Sequence, residues 1–124
     1  MINVNTYIVL SKASARRIGI LSNSVYATDT QIPRIRCIDG FSISVQTGYH
    51  NYCSPRTERA TNYTEIEIGY PSHPLPSEFN EYADGHDPKT THGVWAYVPI
   101  ELVESLIASH GGISLEAMAT NAFS

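Results

Sequence analysis

The chain has 124 residues, of which 42% are apolar, and a net charge of −4. This is enough for one globular domain with a modest core. No apolar run approaches the roughly 18 residues that a membrane-spanning helix needs, and two cysteines are too few for a disulfide framework. The basic residues near the start follow the apolar patch instead of preceding it, which is unlike a secretory signal and favours the cytoplasm.

Charge is distributed unevenly along the chain. Residues 1–59 hold seven Lys/Arg and three Asp/Glu, a balance of +4, whereas residues 60–124 hold one Lys and nine Asp/Glu, a balance of −8. An acidic face repels nucleic acid, which argues against nucleic acid as a partner. Such a face suits a basic surface on a protein partner, because opposite charges speed encounter. The alternative is a surface that only keeps the protein in solution.

The first 31 residues give mixed signals. Apolar residues at alternating positions predict a strand over residues 2–10. Residues 12–28 fit either a helix that begins at a Ser11 cap and runs through Leu21, or a hairpin of Ile18–Leu21 and Val25–Thr28. We favour the helix.

The middle of the chain predicts a β-hairpin followed by a further strand. Alternation over residues 34–38 and 41–46 surrounds Asp39-Gly40, a typical hairpin turn. One face of the second strand should be buried, namely Phe41, Ile43 and Val45. The strand Tyr63–Tyr70 is predicted to end at Pro71. We expect its buried face to be Ile66, Ile68 and Tyr70, and its outer face to be Glu65 and Glu67.

The last third predicts an irregular segment, a short strand and a helix. Residues 71–94 contain four prolines and two glycines, and a loop of that length is usually functional or held by its own contacts. Trp95–Val98 predicts a strand. Residues 100–110 predict a helix with a left-handed cap at Gly111 and an apolar stripe. The stripe consists of Leu102, Val103, Leu106 and Ile107.

These elements predict a single α+β domain over residues 1–124. We expect two layers, an antiparallel sheet of three to five strands packed against one main C-terminal helix. The predicted division is a variable N-terminal extension over residues 1–31, a core over residues 32–112 and a tail over residues 113–124. A short helix is predicted in the tail around Ser114–Ala119.

Several short motifs together resemble a group of small bacteriophage or prophage proteins. The motifs are DGF at 39–41, SVQ at 44–46, YCSPR at 52–56, EIGYP at 67–71, YVP at 97–99 and VE…HGG at 103–112. The resemblance covers about residues 32–112. It implies an accessory protein that acts in the cytoplasm of the bacterial host, where such proteins often inhibit host defence or regulate host proteins. It assigns no catalytic or binding residue.

The strongest functional signal in the composition is aromatic. Eight tyrosines and one tryptophan are many for this length, and Tyr, Trp and Arg are enriched at protein-interface hot spots. Those in or beside loops, together with nearby charges, predict a partner-binding surface. Its candidate residues are Tyr49, Tyr52, Arg56, Tyr82, Asp84, Asp87 and Trp95. The alternative is that the tyrosines cover the sheet edges.

The sequence indicates a metal site or a catalytic cysteine less strongly than a partner-binding surface. His50 and Cys53 have the spacing H-x-x-C and are candidate metal ligands, but a structural zinc site needs four ligands in paired clusters. Cys53 is also a candidate nucleophile, with Arg56 or His50 lowering its pKa. Cys37 is in phase with Ile35 and is expected in the core. We predict no cofactor and no metal, and lean against an enzyme.

A third possibility is phosphate or nucleotide binding by arginines and stacking tyrosines. The alternative for the hairpin arginines is pairing with Glu65 and Glu67 on the neighbouring strand. We therefore expect a phage-type accessory protein that binds and inhibits or modulates a host protein, with a defence system such as CRISPR as a candidate target. The alternatives are a small metal- or cysteine-dependent enzyme and a nucleotide-sequestering module. A homodimer through an exposed edge strand, or through Trp95, is also possible.

Overall fold

The fold is a four-stranded antiparallel sheet with helices packed on it, which confirms the predicted α+β class. The computed structural model describes residues 2–18 and 30–121, without the side chains of 15–18 and 119–121. The strands follow the chain order β1-β2-β3-β4. Their bounds are Ile35–Arg36 for β1, Ser42–Gln46 for β2, Glu65–Gly69 for β3 and Val94–Pro99 for β4. The helices are α1 Val4–Ile18, α2 Ile100–Ser109 and α3 Leu115–Asn121, with a 3₁₀ helix at Ser77–Tyr82.

The predicted hairpin is present. Gly40 has φ +97°, its amide donates to the Cys37 carbonyl at 3.0 Å, and the Cys37 amide donates to the Phe41 carbonyl at 2.7 Å. Cys37 is buried, as expected from its phase with Ile35. The buried face of β2 is confirmed, because Phe41, Ile43 and Val45 are all buried. On the opposite face, which alternation predicts to be solvated, Ser42 is also buried, and its hydroxyl accepts a hydrogen bond from Arg34.

Tyr70 does not belong to the buried face of β3. That strand ends at Gly69, and Tyr70 has φ +49° with 53% of its surface exposed. Its amide donates to the Gly93 carbonyl, which turns the chain out of the sheet. The period-2 pattern stops one residue earlier than predicted because the backbone leaves the extended conformation there.

The predicted strand over residues 2–10 is wrong, because α1 begins at Val4 and runs through Ser11. The Asn3 side chain accepts a hydrogen bond from the Thr6 amide at 2.8 Å, which caps the first turn. The buried side chains Val4, Tyr7 and Ile8 follow helical spacing. Of the two alternatives for residues 12–28, the helix is therefore correct for residues 12–18. Residues 19–28 lie outside the described residues.

The N-terminal helix shares the core with the sheet. Val4, Tyr7 and Ile8 belong to the same buried cluster as the β2 and β3 side chains. The Val4 amide donates to a Glu104 carboxylate oxygen, so an anion from α2 lies at the positive end of α1. The helical layer is therefore built from α1 as well as the predicted C-terminal helix.

The C-terminal part folds as predicted. α2 buries Val103, Leu106 and Ile107 and keeps Leu102 half-buried. Gly111 has φ +89°, which is the left-handed cap. α3 corresponds to the predicted short tail helix. In the part of the chain that is described, no helix has the length and apolar character that would let it cross a membrane.

Both edges of the sheet are covered by the chain itself. Outside β1, the Ser114 amide donates to the Arg36 carbonyl at 2.8 Å and Cys37 pairs with Ile113. Outside β4, Ala83 pairs with Trp95. Edge-to-edge pairing between two copies at these positions would have to displace these segments, and the homodimer stays a prediction.

Candidate partner-binding surface

Tyr49, Tyr52 and Arg56 lie together on the surface, in the loop that connects β2 to β3. Tyr49 is 64% exposed and Tyr52 is 38% exposed. The Arg56 guanidinium lies 5.4 Å from the centre of the Tyr52 ring, in a cation–π arrangement. The Arg56 Nε donates to the Tyr49 carbonyl at 2.9 Å. Arg56 thus contacts the ring of Tyr52 and the backbone of Tyr49.

The loop is held against the outer face of the sheet. Glu67 accepts from the Asn51 side chain at 3.1 Å and from the Tyr52 amide at 3.2 Å. Ser54 pairs with Glu65 as an isolated bridge, and its hydroxyl donates to the Glu65 carboxylate at 2.7 Å. Both carboxylates therefore bond to this loop, whereas one alternative from the sequence paired them with the hairpin arginines. Arg34 instead donates to Ser42 and to the Tyr70 carbonyl.

Tyr97 completes the surface and was not predicted. It is 38% exposed, its ring lies 5.8 Å from that of Tyr52, and its amide donates to the Tyr52 carbonyl at 3.0 Å. The cause is a bulge in β4, where Ile68 pairs with Trp95 but Ile66 pairs with Val98. The extra residue re-aims Tyr97 away from the face that Trp95 occupies. No pattern in the sequence marks this bulge. We call Tyr49, Tyr52, Arg56 and Tyr97 the tyrosine surface.

The remaining candidates are elsewhere. Trp95 was predicted to take part in docking, and this is wrong for the folded chain because its side chain is 0% exposed in the core. The reason is its pairing with Ile68 on the helix-covered face. Asp84 and Asp87 are exposed in the loop before β4, where an Asp87 carboxylate oxygen accepts the Lys89 amide. Tyr82 is half-buried at the end of the 3₁₀ helix.

His50 and Cys53 lie in different environments. His50 is exposed, whereas Cys53 is buried with its Sγ accepting the Gly48 amide at 3.3 Å and donating to the Gly48 carbonyl at 3.4 Å. Within residues 2–18 and 30–121, no three His, Cys, Asp or Glu side chains are grouped so that they could hold a metal ion. The metal and cysteine-nucleophile hypotheses thus gain no geometric support from this pair.

A thiol titration tests the cysteine hypothesis. Burial and the nearby Asp39 raise the pKa of Cys37 to about 11, and Cys53 is also in the core. We expect both thiols of the native protein to react with a disulfide reagent at pH 8 at least about 100-fold more slowly than in denaturant, because the thiolate is the reactive form. A fast native reaction that disappears in Cys53→Ser would revive the nucleophile hypothesis.

A separate cluster joins the β1–β2 turn to the end of α2. The Asp39 carboxylate bonds to His110 Nδ1 at 2.7 Å, and the His110 ring stacks on Phe41 with centroids 4.0 Å apart. The Phe41 amide and His110 both lower the pKa of Asp39, with His73 contributing through its charge. This arrangement ties the β1–β2 turn to the end of α2.

Neither known protein families, nor curated protein sequences, nor solved structures yield a match to this chain. Its function must therefore be argued from its surfaces.

Proposed function

We propose that this protein acts by binding another protein through the tyrosine surface. The observation that carries the proposal is a group of exposed residues in which Arg56 contacts Tyr49 and Tyr52, and Tyr97 lies beside Tyr52. Tyr and Arg are the residue types that contribute most at interface hot spots, since they combine a large apolar area with directional hydrogen bonding.

The tyrosine surface is organised before any partner arrives. Tyr52 is held by its backbone to Glu67 and Tyr97, and Arg56 is held to the Tyr49 carbonyl. Side chains that are already ordered lose less conformational entropy on binding, so more of the contact energy appears as affinity. Arg56 supplies a positive charge, which favours a partner with a carboxylate facing it.

We further propose the biological setting that the sequence resemblance implies. The protein would be a bacteriophage or prophage accessory protein in the host cytoplasm, where it binds and inhibits or modulates a host protein. A defence system such as CRISPR is a natural target. The support for this setting is the resemblance over residues 32–112, and the support for binding is the tyrosine surface.

The test begins with affinity capture of the tagged protein from lysate of a phage-susceptible bacterium at physiological salt. A stoichiometric captured protein is then purified and titrated against the wild type, Tyr52→Ala and Arg56→Ala. We expect each substitution to weaken binding about 30-fold or more, as truncation of a hot-spot residue does. The matched control is Tyr70→Ala, because Tyr70 is an exposed tyrosine outside the tyrosine surface.

Two results would contradict the proposal. One is a captured protein whose affinity changes less than about threefold in both Tyr52→Ala and Arg56→Ala. The other is a clear thermal stabilisation by a nucleotide that depends on Arg56, since this would favour the small-ligand alternative. Equal melting temperatures of the variants and the wild type ensure that a loss of binding is not a loss of folding.

A further inference from the structure

A groove lies between the 3₁₀ helix Ser77–Tyr82 and the start of α2. It has a volume of about 530 Å³ and is open to solvent along one side. We call it the acidic groove, because three exposed glutamates line it, Glu78, Glu81 and Glu101. It shares no residue with the tyrosine surface, so a ligand bound in it would be additional to the proposed function.

The floor of the acidic groove is apolar. Tyr82, Pro99 and Leu102 are half-buried there and present carbon atoms to the opening. Among the described residues that line the groove, none is basic. Glu65, the strand partner of Pro99, adds a further carboxylate nearby, and burial together with Glu81 and Glu65 raises the pKa of Tyr82. An apolar floor with a carboxylate rim complements a ligand that carries both cationic and apolar groups.

The walls of the groove are held by the core. Phe79 anchors the 3₁₀ helix in the buried cluster. The chain after that helix is fixed to β4, since Ala83 pairs with Trp95 and the Asp84 amide donates to the Val94 carbonyl at 3.0 Å. The other wall is the first two turns of α2. Because both walls are anchored in the folded chain, little ordering of the backbone is needed on binding.

The open shape selects the kind of occupant. Sites for small molecules usually enclose 70–90% of the ligand surface, and an open groove cannot do this. A peptide segment needs only one side covered and gains from several weak contacts along its length. We propose that the acidic groove binds a basic segment of a partner protein, with lysine or arginine side chains at the glutamate rim and one apolar side chain on the Tyr82–Leu102 floor.

The test uses purified protein and a labelled synthetic peptide of alternating lysine and arginine around one central leucine, titrated at low ionic strength. The triple variant Glu78→Gln, Glu81→Gln, Glu101→Gln should bind about tenfold more weakly than the wild type, since each exposed charge pair contributes modestly. The control triple variant Asp84→Asn, Asp87→Asn, Glu116→Gln removes the same charge from exposed positions outside the groove. It should weaken binding less than about threefold.

The role of the apolar floor is tested by changing the peptide and not the protein, so that the folding of the protein is not disturbed. A peptide with glycine in place of the central leucine should bind about tenfold more weakly, because the leucine side chain then no longer covers the apolar floor. Both results together, with addition of salt weakening the binding, would support the proposal.

Three outcomes would overturn it. If the two triple variants lose affinity equally, the peptide senses only the overall negative field. If spermine competes as strongly as the peptide, the groove takes a small organic cation. If wild-type protein sediments as a dimer that the groove variant abolishes, a second copy is the occupant. The assay needs no captured host protein, so its failure and that of the tyrosine surface are separable.

Discussion

Lys12→Ala should lower the free energy of unfolding by about 3–5 kcal/mol, as breaking a buried ion pair does. Lys12 is 2% exposed, and its Nζ donates to the Thr47 carbonyl at 2.9 Å and to the Glu58 carboxylate. Glu58 is itself largely buried and also accepts the Thr30 amide. Alanine would leave this carboxylate inside the protein without its cation. Urea denaturation, followed by the fluorescence of the single tryptophan, measures the effect.

The control for this prediction removes both charges. In Lys12→Met with Glu58→Leu, no unpaired ion remains and the apolar volume is kept, so we expect the double variant to be more stable than Lys12→Ala alone. A loss below about 1 kcal/mol in Lys12→Ala would show instead that water reaches the pair as it does at a surface salt bridge. With typical total stabilities of about 5–15 kcal/mol, the predicted loss is easily measured.

Trp95→Ala should destabilise the fold by about 3–5 kcal/mol, the range for removal of a large aromatic side chain from a core. Trp95 is fully buried, and the His86 ring meets it edge-on with centroids 4.7 Å apart. Because Trp95 is the only tryptophan, circular dichroism must follow the unfolding of this variant.

Trp95→Phe is the matched variant and should cost only about 1–2 kcal/mol, since it keeps an aromatic ring in the core. Trp95 Nε1 has no hydrogen-bond partner among the described residues, so phenylalanine loses volume but no hydrogen bond. A cost for Trp95→Phe equal to that for Trp95→Ala would contradict this and point to a bond through the indole nitrogen. Weaker partner binding by Trp95→Ala would reflect unfolding, and therefore could not identify Trp95 as a contact residue.

The elements that were predicted correctly are those with a strong local pattern. β2 alternates over five residues, the turn at Asp39-Gly40 has its own chemistry, and α2 has an apolar stripe with a glycine cap. In each case the residues that decide the conformation are neighbours in the chain. Such elements can therefore be predicted without information on the residues that pack against them.

The prediction of a strand in place of α1 was wrong because its apolar residues fit both the two-residue period of a strand and the 3.6-residue period of a helix. Ile2, Val4, Ile8 and Leu10 alternate like a strand, but only some of them are buried, and Leu10 is exposed. The helix buries Lys12 as well, which no hydrophobic pattern would predict. Its charge is tolerated there only because Glu58, distant in sequence, supplies the opposite charge.

Only part of the tyrosine surface was predicted, because only some of its residues are neighbours in the chain. Tyr49, Tyr52 and Arg56 are close in the chain, so their composition already indicated a common loop. Tyr97 joins them through a bulge in β4, whereas Trp95, two residues earlier, is turned into the core. Which aromatic side chain meets solvent depends on strand register, and register is set by pairing across the sheet.

The amino-acid sequence alone thus determined the α+β class, the hairpin, the C-terminal helix and the concentration of negative charge in the second half, because these depend on local periodicity, turn chemistry and composition. Only the tertiary structure decided that Lys12 pairs with Glu58, that Trp95 is buried beside an exposed Tyr97, and that three glutamates share an apolar groove. These depend on contacts between residues far apart in the chain, which form when the sheet register and the helix packing bring them together.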